Sequence, residues 1–155
     1  SDEKCSACQA LGADVVINYR TADFVAGVRN ATDGRGVDLV LDMVGGDYLQ
    51  RNIEVLGMDG RLVMIGRQGG VKSEIDVMPV LRRRLTLTGS TLRTRSVEEK
   101  GALAREVHKH VWPLFESGAV RVIVDRTFPF RDAAAAHRMM EASTHIGKLV
   151  LLVQS

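Results

Sequence analysis

The sequence predicts an α/β protein built on a doubly wound parallel sheet, and three observations carry that expectation. Compact apolar or β-branched runs recur at Ala13–Asn18, Val37–Val44, Arg61–Ile65 and Leu85–Gly89. Between them, apolar residues return at helical spacing, as in Phe24, Val25, Val28 and Ala31, then Leu49, Ile53 and Leu56. No hairpin signal joins one strand to the next, so each connection passes through a helix. Such crossovers are right-handed and give parallel strands with helices on both faces.

In chain order, Ser1 offers a capping hydroxyl and Asp2 and Glu3 place acids in the first turn of a helix that stops at Gly12. The unbroken apolarity of Ala13–Asn18 fits a strand covered on both faces. Thr21 caps the next helix, which Asp33-Gly34-Arg35-Gly36 ends before the strand Val37–Val44. Gly45-Gly46-Asp47 is the following turn, and Gly57 stops the helix striped by Leu49, Ile53 and Leu56. Arg82, Arg83 and Arg84 interleave with Met78, Val80, Leu81 and Leu85, which reads as a short amphipathic segment with a solvated basic face. Leu103, Val107, Val111 and Leu114 form one stripe of a long helix ended by Pro113, Ser117 and Gly118. Beyond Gly118 come an extended run, Val120–Phe130, an alanine-rich helix, Asp132–Ala142, and a strand, Gly147–Val153. The expected division is therefore a nucleotide-binding type of domain over 1–118 and a separate segment over 119–155.

Composition narrows the function. A chain of 155 residues, 45% hydrophobic and 26% charged, has the make-up of a folded domain. A formal charge of +2 gives no reason to expect a nucleic-acid partner. Leu149–Val153 is far too short to span a membrane and no leader is recognisable, so the expectation is a soluble, cytoplasmic protein with no membrane partner. Cys5 and Cys8 are the only cysteines; without a second pair they complete no zinc site, and they read as buried or half-buried helix residues. His108 and His110 stand two apart on a helix and point to different sides, while His137 and His145 lack companions at ligand spacing. No metal ligand and no catalytic side chain is assigned.

Ligands of a doubly wound sheet lie beyond the carboxyl ends of its strands. The loops there are Asn18-Tyr19-Arg20, Asp42-Met43-Val44-Gly45-Gly46 and Gly66-Arg67-Gln68-Gly69-Gly70. Glycines in such loops let backbone approach an anion closely, and equally they are simply turns. Both readings stand on spacing alone.

Five separated strings go further: Ile17-Asn18-Tyr19-Arg20, Asp42-Met43-Val44-Gly45-Gly46, Asp59-Gly60-Arg61, Leu85 to Arg93, and His145-Ile146-Gly147-Lys148. Together, in order and over essentially the whole chain, they resemble the zinc-free, zeta-crystallin-like quinone oxidoreductases of the medium-chain dehydrogenase/reductase superfamily, in particular the p53-inducible branch. The resemblance implies a Rossmann-like domain and an NADPH cofactor. It implies that Ser1, Lys4 and Tyr19 hold the 2′-phosphate, that Asp42, Val44 and Gly45 run beside the adenosine and pyrophosphate, and that Gly66 and Gln68 lie near the nicotinamide ribose. Thr91 and Leu92 would offer main-chain groups to the carboxamide, and Lys148 would reach back towards the cofactor. A helix cap for Ser1, a solvated Lys4, a half-buried Tyr19 and a hydrogen-bond acceptor role for Asp42 are the local alternatives.

In relatives, two strands, the glycine-rich pyrophosphate turn and a catalytic domain precede the position of Ser1. The expected fold is therefore a partial doubly wound sheet without its first two strands, plus a tail that completes the catalytic domain in the full-length enzyme. Three strand spacings of about 4.8 Å, roughly 14 Å, would then separate Val15 from Val40. Either Ala13–Asn18 docks on the next strand, or a second copy covers the gap, or that segment sits elsewhere. The resemblance further implies a homodimer through the edge strand 85–92, and NADPH-dependent hydride transfer to a quinone or enone, the chain by itself being inactive. An enoyl reductase of the same superfamily and a non-catalytic nucleotide-binding or dimerisation module are the alternatives.

Overall fold

The computed structural model describes residues 1–153; positions 154 and 155, the end of the expected 119–155 segment, lie outside the described residues. The chain divides into two compact units, Ser1–Arg95 and Ser96–Ser155, so the change of pattern at Gly118 falls inside the second.

The first unit runs α1 (Asp2–Ala10), α2 (Phe24–Ala31), β1 (Val37–Asp42), α3 (Tyr48–Val55), β2 (Leu56–Met64), α4 (Met78–Arg83) and β3 (Thr86–Gly89). The strands form one parallel sheet in the order β1-β2-β3. This is the expected α/β class, with consecutive strands adjacent. Its core is Ile53 of α3 packed on Leu56 and Leu62 of β2, surrounded by Val37, Val40, Leu85 and Leu87. The central strand thus carries most of the burial. All three strands finish level, Asp42 beside Met64 and Met64 beside Gly89, so the loops that follow β1 and β2 emerge at one edge.

Several sequence expectations are corrected. Ala13–Asn18 forms no strand. A strand needs a neighbour to supply amides and carbonyls, and β1 keeps its outer edge unpaired within the sheet, with Leu39 and Leu41 each 59% exposed. Ile17 packs on α2 instead: a Cβ at Gly27 would lie 2.7 Å from its Cδ1. Asp23, not Thr21, caps α2, its carboxylate accepting from the Val25 amide at 2.9 Å. Leu56 belongs to β2, because α3 passes into the strand without a loop. Gly36 makes room for that junction, since a Cβ there would stand 2.5 Å from the Val55 carbonyl. Cys8 is exposed and Cys5 half-buried, on a helix with no buried residue.

The second unit contains α5 (Val97–His110), α6 (Trp112–Glu116), β4 (Val124–Pro129), a 3-10 turn (Phe130–Asp132), α7 (Ala133–Glu141) and β5 (Lys148–Leu152). The expected single long helix is two, divided at Val111. Pro113 has no amide to continue the ladder and sits in the first turn of α6. Ser96 and Glu99 close a capping box at the start of α5. β4 and β5 pair in parallel across α7, whose Ala136 is buried. Among the described residues, no helix is long and apolar enough to cross a membrane.

Leu62 is fully buried at the centre of the sheet. Leu62→Ala is expected to destabilise the protein by about 3 kcal/mol, read as a shift of the denaturant midpoint at constant slope. A loss below about 1 kcal/mol would remove β2 from the centre of the core.

Candidate functional site

The site is assembled from backbone. After β1 the chain must turn immediately, and Asp42, 3% exposed, supplies the means. Its carboxylate accepts from the Val44 amide at 2.7 Å and from the Gly45 amide at 3.1 and 3.2 Å. A buried carboxylate satisfied by two amides is an inward-facing hinge of the turn. The acceptor role considered for Asp42 is met within its own turn.

The loop after β2 lies against the loop after β1. The Ile65 amide donates to the Asp42 carbonyl at 2.7 Å, the Gln68 amide to the Met43 carbonyl at 3.5 Å and the Gly69 amide to the Val44 carbonyl at 2.6 Å. Such contact tolerates little side-chain bulk. A Cβ on Gly46 would stand 2.3 Å from the Gly69 carbonyl oxygen, and one on Gly66 would stand 2.4 Å from the Met43 oxygen. Gly45 and Gly46 also hold left-handed backbone, with φ of 67° and 56°. Their carbonyls then accept from Tyr48 and Leu49 to open α3.

Two hollows flank this seam. A groove of about 820 Å³ is lined by Gly45, Gly46, Gly66, Arg67 and Lys72 among others, with Asp47 and Glu74 contributing carboxylates. Arg67 and Lys72 form no ion pair among the described residues. A smaller hollow of about 230 Å³ brings Tyr19, Asp42 and Val44 together with Phe24, Tyr48 and Asn52. Its wall is stiff: Phe24 and Tyr48 stack with centroids 5.6 Å apart and planes 4° from parallel. The Arg51 guanidinium lies 4.3 Å from the Phe24 centroid and is held by Asp23 at 2.6 Å. The Val25 amide first, and Arg51 next, hold the Asp23 carboxyl below its ordinary value.

Of the residues expected at the site, Tyr19, Asp42 and Val44 thus meet at one hollow, and Gly45 and Gly66 line the other. Gln68 sits in the seam with its side chain exposed. Ser1 caps α1, its hydroxyl accepting from the Lys4 amide at 3.4 Å. The Asn18 side chain donates to Asp2 at 2.8 Å, which ties the first turn of α1, with Ser1 and Lys4, to the turn bearing Tyr19. Thr91 and Leu92 follow β3 on the exposed surface, where the Thr91 hydroxyl accepts from the Arg93 amide at 3.4 Å. Lys148 begins β5, in the second unit. Sequence reasoning missed the Phe24, Tyr48 and Arg51 cluster and the cations Arg67 and Lys72. Only the Tyr48 to Arg51 helical spacing was visible beforehand.

Residues 11–151 match the family described as zinc-binding dehydrogenase. The chain belongs to that family. It is 35% identical to a 2-haloacrylate reductase of a Burkholderia species across 100% of this chain and 46% of that protein. It is 31% identical to a highly reducing polyketide synthase of Emericella nidulans over 91% of this chain and 6% of that one. The crystal structure of Escherichia coli quinone oxidoreductase complexed with NADPH superposes with a TM-score of 0.81 at 27% identity, over 98% of this chain and 47% of that chain. The chain therefore spans about half the length of that reductase and that oxidoreductase. Among the described residues, no three His, Cys, Asp or Glu side chains are grouped to hold an ion.

Gly46→Ala is expected to separate the two loops and to lower stability by about 2 kcal/mol or more. Its measure is faster amide exchange at Gly69, and unchanged exchange there would refute the tight approach.

The lowered Asp23 carboxyl contributes stability that is complete above its ordinary value of 3.8 and is lost as pH falls through the lower folded value. Asp23→Asn should therefore reduce the unfolding midpoint near neutral pH and converge on the parent protein in strong acid. Parallel curves across that range would show that the carboxylate plays no such part.

Proposed function

We propose that this chain is the nucleotide-binding part of an NADPH-dependent reductase of the zinc-free quinone oxidoreductase kind, with hydride passing to a quinone or a related conjugated carbonyl. The p53-inducible branch is the finer assignment, supported by the strings that run from Ile17 to Lys148. The observation that carries the reading is the seam itself, two amide-paired loops at the level ends of parallel strands with a hollow on each side. That is where a doubly wound sheet takes a nucleotide.

The residues fit a dinucleotide. Main chain at Gly45 and Gly66 lets a ligand approach closely, and Arg67 and Lys72 on the same groove are available to anionic oxygens. In this reading Ser1, Lys4 and Tyr19 hold the 2′-phosphate, and the Asn18 to Asp2 hydrogen bond keeps their two segments together. Val44 and the Asp42 turn flank the adenosine, Gln68 lies at the nicotinamide ribose, and Thr91 and Leu92 offer main-chain groups to the carboxamide. When bound, the nicotinamide supplies the hydride. This chain's own residues bind and orient it; oriented backbone donors, and no metal, polarise the acceptor. The outer edge of β3 is assigned to a second copy in a homodimer.

A second reading, an enoyl reductase, is favoured by the similarity to polyketide synthases. Both readings share a conjugated acceptor, as the 2-haloacrylate reductase does by its name.

The test uses the whole protein with both nicotinamide cofactors. Lys4→Ala is expected to raise the KM for NADPH about tenfold and to leave that for NADH unchanged. An equal change for both cofactors, or none, removes the 2′-phosphate assignment. Turnover of an enoyl thioester without turnover of a quinone would move the substrate assignment to the second reading.

A further inference from the structure

The Cys-x-x-Cys pair takes no part in the site described. Cys5 and Cys8 are free thiols, the first half-buried and the second exposed. Both lie on α1, three residues apart and therefore on one face. Regular helix geometry puts their Cα atoms about 5 Å apart, inside the range of about 4.4–6.8 Å that a disulfide spans. Their Cβ atoms, about 5–6 Å apart in a regular helix, must close to about 4 Å, so the bond requires the helix to distort locally. α1 has the freedom to do so because it buries no residue. A disulfide formed at the expense of helix geometry is readily reduced again, which suits a regulatory bond better than a structural one.

The two cysteines are also built into both ends of α1. The Cys5 amide donates to the Ser1 carbonyl at 2.9 Å, in the same turn where Ser1 caps the Lys4 amide. The Cys8 carbonyl accepts from Leu11 at 3.1 Å and from Ala13 at 3.2 Å. Drawing Cys5 and Cys8 together therefore acts on the turn that carries Ser1 and Lys4.

We propose that Cys5 and Cys8 are a reversible dithiol/disulfide pair that reacts with low-molecular-weight disulfides, and that the oxidised form binds NADPH more weakly. The second clause rests on the NADPH reading above. The exposed Cys8 thiolate attacks one sulfur of oxidised glutathione, forming a mixed disulfide and releasing one glutathione thiolate. The Cys5 thiolate then attacks the Cys8 sulfur and releases the second. Two cysteine thiols and one glutathione disulfide become one protein disulfide and two glutathione thiols, with two electrons and two protons passing to glutathione.

The whole protein, reduced and then equilibrated with oxidised glutathione, is digested without reductant and mapped by mass spectrometry, while NADPH and NADH affinities are measured by titration. The expected result is a peptide cross-linked between Cys5 and Cys8, an NADPH affinity about fivefold weaker, an unchanged NADH affinity, and full reversal by dithiothreitol. Cys5→Ser should instead retain glutathione on Cys8, and its NADPH affinity should not respond as the bridged protein's does. A stable glutathione adduct on Cys8 of the parent protein with no cross-link overturns the pair. A cross-link that leaves NADPH affinity unchanged overturns the switch. If the reduced protein shows no preference for NADPH over NADH, the 2′-phosphate reading fails by itself, and the cross-link still decides whether the pair exists.

Discussion

The constraint on which the first unit depends is the approach of two loops at backbone distance. Three amide-to-carbonyl hydrogen bonds carry the pairing of β1 and β2 beyond the strands themselves, from Asp42 and Ile65 to Val44 and Gly69. The loops can sit so close only because Gly46 and Gly66 have no side chain, and because the Asp42 carboxylate turns inward onto two amides. Burying that carboxylate would be costly unpaired; paired, it fixes the direction in which α3 leaves. The hollows on either side of the seam follow from this one contact.

The opposite end of the sheet is closed by side chains. Arg84 and Asp59 both hold left-handed backbone, at φ of 53° and 57°, and meet through two hydrogen bonds of 2.8 and 2.7 Å. The adjacent Arg83 donates to the carbonyls of Glu54, in the last turn of α3, and of Leu56, at the start of β2. One end of the unit is thus clamped by charged side chains that cover backbone groups. At the other end backbone pairs with backbone, and the surface nearby is left available to a ligand.

What was legible in the sequence follows the same division. Helices with a strong local signal formed where it placed them, α1 from its Ser1 cap and α3 on the stripe of Leu49 and Ile53, although Leu56 passed to β2. The three strands of the first unit also formed, because each has a neighbour, with β2 beginning five residues before the expected Arg61. Ala13–Asn18 has the same composition as a buried strand, yet strand formation is a relation between segments, and apolar content alone does not provide the partner. The break at Val111 was readable from Pro113 but was outweighed by an apolar stripe that runs across it. At the site, Tyr19, Asp42 and Val44 were found through the resemblance and meet at one hollow. Phe24 and Arg51 are separated by the rest of α2, the whole of β1 and the start of α3, so nothing local announced their contact.

The two parts of the proposed nucleotide site differ in what it costs to move them. The seam cannot shift without breaking the hydrogen bonds that join the ends of β1 and β2, strands that pack on Ile53 and Leu62. α1 has no fully buried residue, and the Asn18 to Asp2 hydrogen bond is exposed to solvent, so its displacement loses little burial. An adjustable affinity therefore belongs on α1, and a fixed geometry belongs on the seam. The part of the cofactor that only selects would fall to the movable element, while the part that must be aligned for hydride transfer would fall to the rigid one. Regulation at α1 can then change how often the site is filled without changing how the reacting groups are placed.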